Sequence, residues 1–322
     1  MLNEMLGELN VSHTGVTYRP AGKARDVTAS LGAFYDPSYR DTGLQIREVM
    51  QDGPLDDVSL GIGPGTIIRA IDGAPVLADR DFAGYLNHKA GKNTELTILN
   101  DGRLRKIMVR PVTPGEETEL LYQRWVRRNR AETDSLSHGM LGYVHLPRMN
   151  DAAYRAVYDQ VLGRYAGRKG IVVDTRFNRG GDLAPELSMF LSGVHVRDNV
   201  AGPLAVSSEP SFRWTQPSIV LAGESNYSDG SCFVYDYQYL HMGKIVGMPI
   251  PGSCTFQTGQ SLQDRTLQWS CPTLGVKDLR GEYLEGRQTE PDIRVMNGFG
   301  EDAAGYDRQL ETAIKVLLKD LR

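Results

Sequence analysis

The chain has little of what would mark out several function classes. It holds only three cysteines, Cys232, Cys254 and Cys271, in 322 residues. That argues against a disulfide scaffold, and Cys232, set among apolar residues, reads as a small buried hydrophobe. The cysteine spacing fits no zinc motif, and with six histidines neither a metal site nor a cofactor is expected. No apolar stretch nears the roughly 20 residues of a membrane span. Charge is balanced, 36 Lys+Arg against 40 Asp+Glu with no long run of either sign, so nothing resembles an electrostatic footprint for nucleic acid. The opening residues, Met1 to Leu9, are acidic and helix-like and form no signal peptide. They read as if the chain starts inside an element, as it would if upstream domains had been removed, so the lack of a signal says little about compartment.

What remains is an ordinary globular composition, 40% hydrophobic and 24% charged, in a chain long enough for two domains. Residues 1–35 read as a short lobe, a helix followed by a strand near Gly15 to Tyr18. The texture changes over 40–112. Leu44 to Val49 alternates like a half-buried strand. Pro64-Gly65-Thr66-Ile67-Ile68-Arg69-Ala70-Ile71-Asp72-Gly73-Ala74-Pro75-Val76 reads as turn, strand, Asp-Gly turn, strand. Phe82 to Lys89 is expected to be a helix, and 95–110 a hairpin about Asp101-Gly102. This stretch resembles a PDZ domain, with Thr66 where the family usually has Asp. Such domains bind peptide termini by adding a strand to a sheet edge. A C-terminal peptide site and a purely structural insert weigh equally here.

Pro111 to Glu117 reads as a linker and Glu119 to Arg130 as a charged amphipathic helix. Beyond them, apolar runs alternate with helical periodicity. Strands are expected at 141–146, 170–174, 219–222 and 244–247, and helices at 151–165, 184–191, 228–240 and 307–321. The implied fold class is α/β, a mixed, largely parallel sheet with crossover helices.

Four places could carry chemistry. Ser12-His13 offers a general base, since histidine titrates near neutral pH; His88, His138, His145, His195 and His241 are rivals. Asp174-Thr175-Arg176-Phe177-Asn178-Arg179-Gly180-Gly181 ends a buried strand in a turn whose Gly180 and Gly181 N–H groups could hold an oxyanion. Tyr227-Ser228-Asp229-Gly230 places a serine at a helix start, with the Asp229 N–H as a second oxyanion donor. Glu285 could orient the base. Taken singly, each has a plain structural reading: an N-cap, a strand–helix turn, an exposed loop glutamate.

Together, in this order, they resemble the catalytic core of the tricorn proteases, within the wider group of tail-specific (C-terminal processing) serine peptidases. Leu6 to Thr14 is similar to the tricorn Ser-His segment, Asp174 to Gly181 to the D-x-R-x-N-x-G-G motif, and Glu224 to Gly230 to the nucleophile segment. Leu284 to Ile293 is similar to E-N-x-G-x-x-P-D, with Gly286 in place of the Asn and the internal Gly missing. The tail-specific branch uses a Ser–Lys dyad, and here Ser253 stands where that lysine would follow Gly247 to Gly252. The resemblance therefore implies Ser228 as nucleophile, His13 as base, Ser12 bridging to Glu285, and Asp229 with Gly180 and Gly181 as the oxyanion hole. It also implies a ClpP/crotonase-like core, peptide substrates, a homo-oligomer, and the cytoplasm, or the periplasm or exterior if a signal was removed. The domains expected are an N-terminal lobe carrying Ser-His (1–38), a PDZ-like domain (39–113) and the α/β catalytic domain (114–322). Two other readings stay open. One is a non-catalytic peptide- or ligand-binding protein on this scaffold, and the other a scaffold whose PDZ-like module is the working part.

Overall fold

The computed structural model describes residues 1–19, 27–201 and 203–322; residues 20–26, inside the expected N-terminal lobe, lie outside it. The described residues divide into two compact units, 27–128 and a larger unit that joins 1–19 to 129–322. Each has its own core. This division differs from the sequence boundaries at both ends: residues 33–35 pair into the sheet of the smaller unit, and the second division falls between Arg128 and Asn129, inside the helix that begins at Pro114.

The larger unit begins with α1 (Leu2–Gly7) and β1 (Gly15–Tyr18). The smaller unit follows with β2 (Ala33–Tyr35), β3 (Leu44–Val49), β4 (Ile67–Ile71), β5 (Ala74–Pro75), β6 (Thr94–Asn100) and β7 (Arg103–Val109). Its sheet runs β2-β3-β4-β6-β7, with β5 on β4. Inward residues of alternating strands, among them Ile46, Ile68, Leu96 and Ile98, form its core. The helix expected at Phe82 to Lys89 is a short 3-10 turn, Phe82–Leu86, capped by the Asp81 side chain.

Helix α2 (Pro114–Leu136) starts inside the expected linker and runs past the expected helix end. Its start is a capping box. Thr113 Oγ1 accepts from Glu116 N at 3.2 Å, and Glu116 Oε2 accepts from Thr113 N at 2.7 Å, with Pro114 at the first helical position, where its missing N–H costs nothing.

The core of the larger unit is a parallel five-stranded sheet, ordered β16-β13-β12-β9-β8. Its strands and helices are, in chain order, β8 (Leu141–His145), α3 (Asp151–Asp159), β9 (Gly170–Asp174), α4 (Ala184–Leu191), the outlying hairpin β10 (Arg197–Ala201) and β11 (Leu204–Glu209), β12 (Ser218–Ala222), α5 (Asp229–Tyr239), β13 (Gly243–Gly247), β14 (Thr255–Ser261), β15 (Leu267–Gly275), β16 (Ile293–Arg294), α6 (Glu301–Ala304) and α7 (Arg308–Asp320). Every residue of β8, β9 and β12 is buried, as a parallel sheet covered on both faces requires. Val144, Ile171, Val173 and Val220 meet α3, α4 and α5 on one face, while α7 packs over β9, β12 and β13 on the other. The helix expected at 151–165 is α3 followed by a π-helical turn, Gln160–Arg164.

Cys232 is not a free buried thiol. It forms a disulfide with Cys254, 22 residues on, and only Cys271 is free. Spacing could not show the pairing, because a β-strand and a loop separate the two cysteines and only the crossover brings them together. Among the described residues no helix is long and apolar enough to cross a membrane.

Candidate active site

Ligand sites of open parallel sheets lie beyond the carboxyl ends of the strands, and the singled-out turns gather at those ends. β12 runs into Gly223, and β9 into Thr175. The two turns are laced together: Tyr227 N donates to Asn178 O at 3.0 Å, and Asn226 Nδ2 to Thr175 Oγ1 at 2.9 Å. Behind them Arg176 is buried, its guanidinium bonded to Asp174, Asp307 and Gln309. Asp174 and Arg176 thus hold the turn in shape from behind.

Ser228 sits at the N-cap of α5 yet makes no side-chain cap bond. Its backbone is held at φ 54°, ψ −129°, a region that costs a non-glycine residue roughly 1–3 kcal/mol and persists only where surroundings impose it. Three contacts impose it here. Ser228 N donates to Ser253 Oγ at 3.0 Å, and Ser228 O accepts from Ser231 N at 2.8 Å and Cys232 N at 3.2 Å. Gly180 presses on the serine, since a Cβ there would lie 2.4 Å from Ser228 Cβ.

The Ser12-His13 segment arrives from the other end of the chain. β1 pairs antiparallel with β15, Gly15 opposite Ser270, and Ser270 Oγ donates to His13 O at 2.9 Å. Glu285 Oε1 accepts from Ser12 N at 2.7 Å and Glu285 Oε2 from Ser12 Oγ at 2.9 Å. The serine proton is therefore committed to the carboxylate. Ser12 Oγ, 2.7 Å from His13 Nδ1, must accept, so Nδ1 carries the ring hydrogen and Nε2 the lone pair. Nε2 is buried with no hydrogen-bond partner among the described residues. Burial lowers the His13 pKa below the ordinary value of 6.5, with the Glu285 charge opposing in part. The ring stacks on Tyr227, centroids 4.5 Å apart, and His13 N donates to Tyr227 Oη at 2.7 Å. The His13 ring and Ser228 thus meet through Tyr227, the residue before Ser228. No hydrogen bond joins Nε2 to Ser228 Oγ; catalytic contacts are often loose before substrate arrives.

Of the three amides expected to hold an oxyanion, Gly180 N is already spent on Asn178 Oδ1 at 2.8 Å. Among the described residues, Gly181 N and Asp229 N have no partner. The Asp229 carboxylate instead accepts from Leu183 N at 2.6 Å and Ala184 N at 2.9 Å, capping α4 from the start of α5 and tying the two turns together. Burial raises its pKa despite those bonds. Tyr227, Asn178 and Ser253 are contributors that the sequence did not single out as site residues. For Ser253 a signal existed, its standing in the lysine position.

Beside Asp229 lies a cavity of about 370 Å³ walled by Ala184, Tyr239, Phe256 and Leu284. Asp236 faces into it with no hydrogen-bond or ion partner among the described residues, its pKa pushed up to about 6 by burial and by the Asp229 charge. No group of three or more His, Cys, Asp or Glu among the described residues could hold a metal ion. The smaller unit has its own cavity, about 380 Å³, between the edge strand β2 and the Phe82–Leu86 turn. Its one charged lining residue is Glu117, which accepts from Ser30 Oγ.

Comparison with known proteins bears on the whole chain. Residues 140–295 match peptidase family S41, and residues 45–114 match the tricorn protease PDZ domain. The full chain is 28% identical to tricorn protease homolog 1 of Streptomyces coelicolor, covering 31% of that protein. It is also 28% identical to the tricorn protease homolog of Saccharolobus solfataricus, covering 30% of it. The crystal structure of the tricorn protease superposes with a TM-score of 0.87 at 22% identity, over 99% of this chain and 32% of that one, so the fold is shared. The chain spans about a third of the length of the curated relatives it matches.

Proposed function

Because the chain is a tricorn-like serine peptidase core of family S41 with a PDZ domain, we propose that it hydrolyses peptide bonds with Ser228 as nucleophile and His13 as base. The observation that carries this reading is the buried, unpartnered Nε2 of His13, in a ring whose other nitrogen is fixed through Ser12 to Glu285. Ser228 Oγ attacks the substrate carbonyl as its proton passes to Nε2. The resulting oxyanion takes hydrogen bonds from the N–H groups of Gly181 and Asp229. The imidazolium, steadied by Ser12 and Glu285, returns the proton to the departing amine, leaving an acyl ester on Ser228 that water hydrolyses.

The test is labelling by a fluorophosphonate together with cleavage of a fluorogenic peptide library. A protein that labels at Ser228 and cleaves supports the reading. One that binds the peptides without labelling or cleavage supports the non-catalytic alternative.

Glu285→Gln separates the roles further. Protonated His13 cannot act as base, so kcat/KM rises with pH through the His13 pKa, and burial puts that limb below the ordinary histidine value. The Glu285 charge raises that pKa, so its removal shifts the limb to still lower pH. The maximal rate falls about 10²-fold or more, because the imidazolium loses its support. A limb that stays in place or moves upward would remove Glu285 from the relay.

We further propose that the cavity beside Asp229 takes the substrate side chain on the acyl side of the cut. Its apolar walls fit an aliphatic stem, and Asp236, ionised above about pH 6, favours a cationic end. The ratio of kcat/KM for lysine over norleucine substrates should rise with pH through about 6 and fall roughly tenfold in Asp236→Asn at pH 8. Both substrates use the same base, so the ratio isolates Asp236. A ratio flat with pH would place the side chain elsewhere.

For the PDZ domain, the groove beside β2 is our proposed site for a C-terminal peptide, with Glu117 opposing the ligand carboxylate. Glu117→Gln should tighten binding about fivefold, the ~1 kcal/mol of one partly exposed charge pair. Calorimetry with free-acid and amidated peptides reads this directly; equal affinity for both would mean that the carboxylate is not read. Self-association fits the apolar surface of the β10–β11 hairpin, where Val200, Leu204 and Val206 are exposed. The cytoplasm is the proposed location by likeness to the tricorn proteases; the Cys232–Cys254 bond favours an oxidising compartment instead.

A further inference from the structure

The segment from Pro251 to Cys254 touches both halves of the site. Ser253 is buried, 3% exposed, and its Oγ accepts the Ser228 N–H. Ser231 Oγ donates to Pro251 O at 2.6 Å, so in the 3.1 Å contact between the two hydroxyls Ser253 is the donor to Ser231. Ser253 therefore has one hydrogen-bonding arrangement open to it, with a lone pair toward the nucleophile's amide. One residue earlier, Gly252 O accepts from Gly286 N at 2.7 Å, the neighbour of Glu285. The next residue, Cys254, is bonded to Cys232 on the first turn of α5. Both half-cystines line the cavity beside Asp229, so a small thiol entering it reaches the bond.

We propose that Ser253 is a positioning residue for the nucleophile, and that the Cys232–Cys254 disulfide is a thiol-sensitive staple holding Ser253 in place. The staple joins the helix that carries Ser228 to the segment that fixes its main-chain amide. Backbone hydrogen bonds of Ile250 with Thr289 and of Gly252 with Gly286 also anchor the segment, so opening the staple loosens the alignment of Ser228 without unfolding the unit. The chemistry is thiol–disulfide exchange. A reductant thiolate attacks one sulfur and forms a mixed disulfide, a second thiol resolves it, and two electrons and two protons end on Cys232 and Cys254 as the reductant becomes its own disulfide. This inference rests on Ser228 being the nucleophile.

The experiment compares the full chain, oxidised, reduced with a small dithiol and re-oxidised. Thiol titration should give one free thiol, Cys271, in the oxidised chain and three after reduction. Fluorophosphonate labelling and kcat should fall about tenfold on reduction at unchanged KM, with near-unchanged circular dichroism, and recover on re-oxidation. The Cys232→Ser, Cys254→Ser double variant should behave as the reduced chain whatever the thiol. Ser253→Ala should be slow in both redox states, because staple and hydroxyl act through the same contact. Equal labelling before and after a verified reduction overturns the staple, as does Ser253→Ala that still loses tenfold on reduction. Wild-type chain that labels in neither state overturns the nucleophile assignment itself, a separately readable result.

Discussion

Ser228→Ala and His13→Ala should each lower kcat for peptide cleavage by about 10⁴-fold or more, and the double variant should be hardly worse than either. The near-identity of the three losses is the informative part. In the proposed mechanism the two residues act as one unit: Ser228 Oγ is a poor nucleophile while it keeps its proton, and His13 Nε2 is buried with no partner among the described residues. Both variants should fold. Ser228 Oγ caps nothing, and the His13 main chain stays held by Tyr227 Oη and Ser270 Oγ. Thermal unfolding run beside the kinetics checks this. If His13→Ala retained full rate, the base would be another group. If the double variant lost far more than either single, the residues would act independently.

Gly181→Ala should be the most damaging single methyl in the larger unit. The residue has φ 152°, and a Cβ would fall 1.8 Å from Met149 O. That carbonyl cannot retreat, because it accepts from Asp182 N while Met149 N donates to Gly180 O. The neighbouring backbone must move, at more than about 3 kcal/mol of stability. The same movement displaces the one unspent amide of the Gly-Gly turn; loss of an oxyanion donor costs roughly 10²–10³ in kcat. Denaturant unfolding and steady-state kinetics on the same preparation read both losses. A variant with wild-type stability would mean that the turn has another conformation.

The parallel core was legible because its signal is local. Gly170-Ile171-Val172-Val173-Asp174 and Ile219-Val220-Leu221-Ala222 are apolar without alternation, which only a strand covered on both faces tolerates. The glycine-rich turn and the helix after Ser228 follow from residue types in place. What the sequence did not disclose depends on contacts across the fold. The start of α2 was missed although Thr113 and Glu116 spell a capping box, because the flanking Pro and Gly read as linker. The disulfide joins residues whose neighbourhood exists only after α5 and β13 have crossed over. Which of Gly180 and Gly181 keeps a free amide turns on the rotamer of Asn178, and no motif encodes a rotamer. Tyr227 looked like a mere neighbour of Ser228, yet it is also the platform on which the His13 ring rests.

The pairing of β1 with β15 carries a consequence for synthesis. His13 precedes in the chain everything it docks against: Tyr227 beneath its ring, Ser270 at its carbonyl and Glu285 at the end of its relay. The PDZ domain and strands β8, β9 and β12 are made after His13 and before the first of these partners, Tyr227. On the proposed roles, a growing chain carries the base long before the nucleophile, and the Ser12–Glu285 relay closes only after both are made. On that reading, competence to cleave comes only with the last segments of the larger unit.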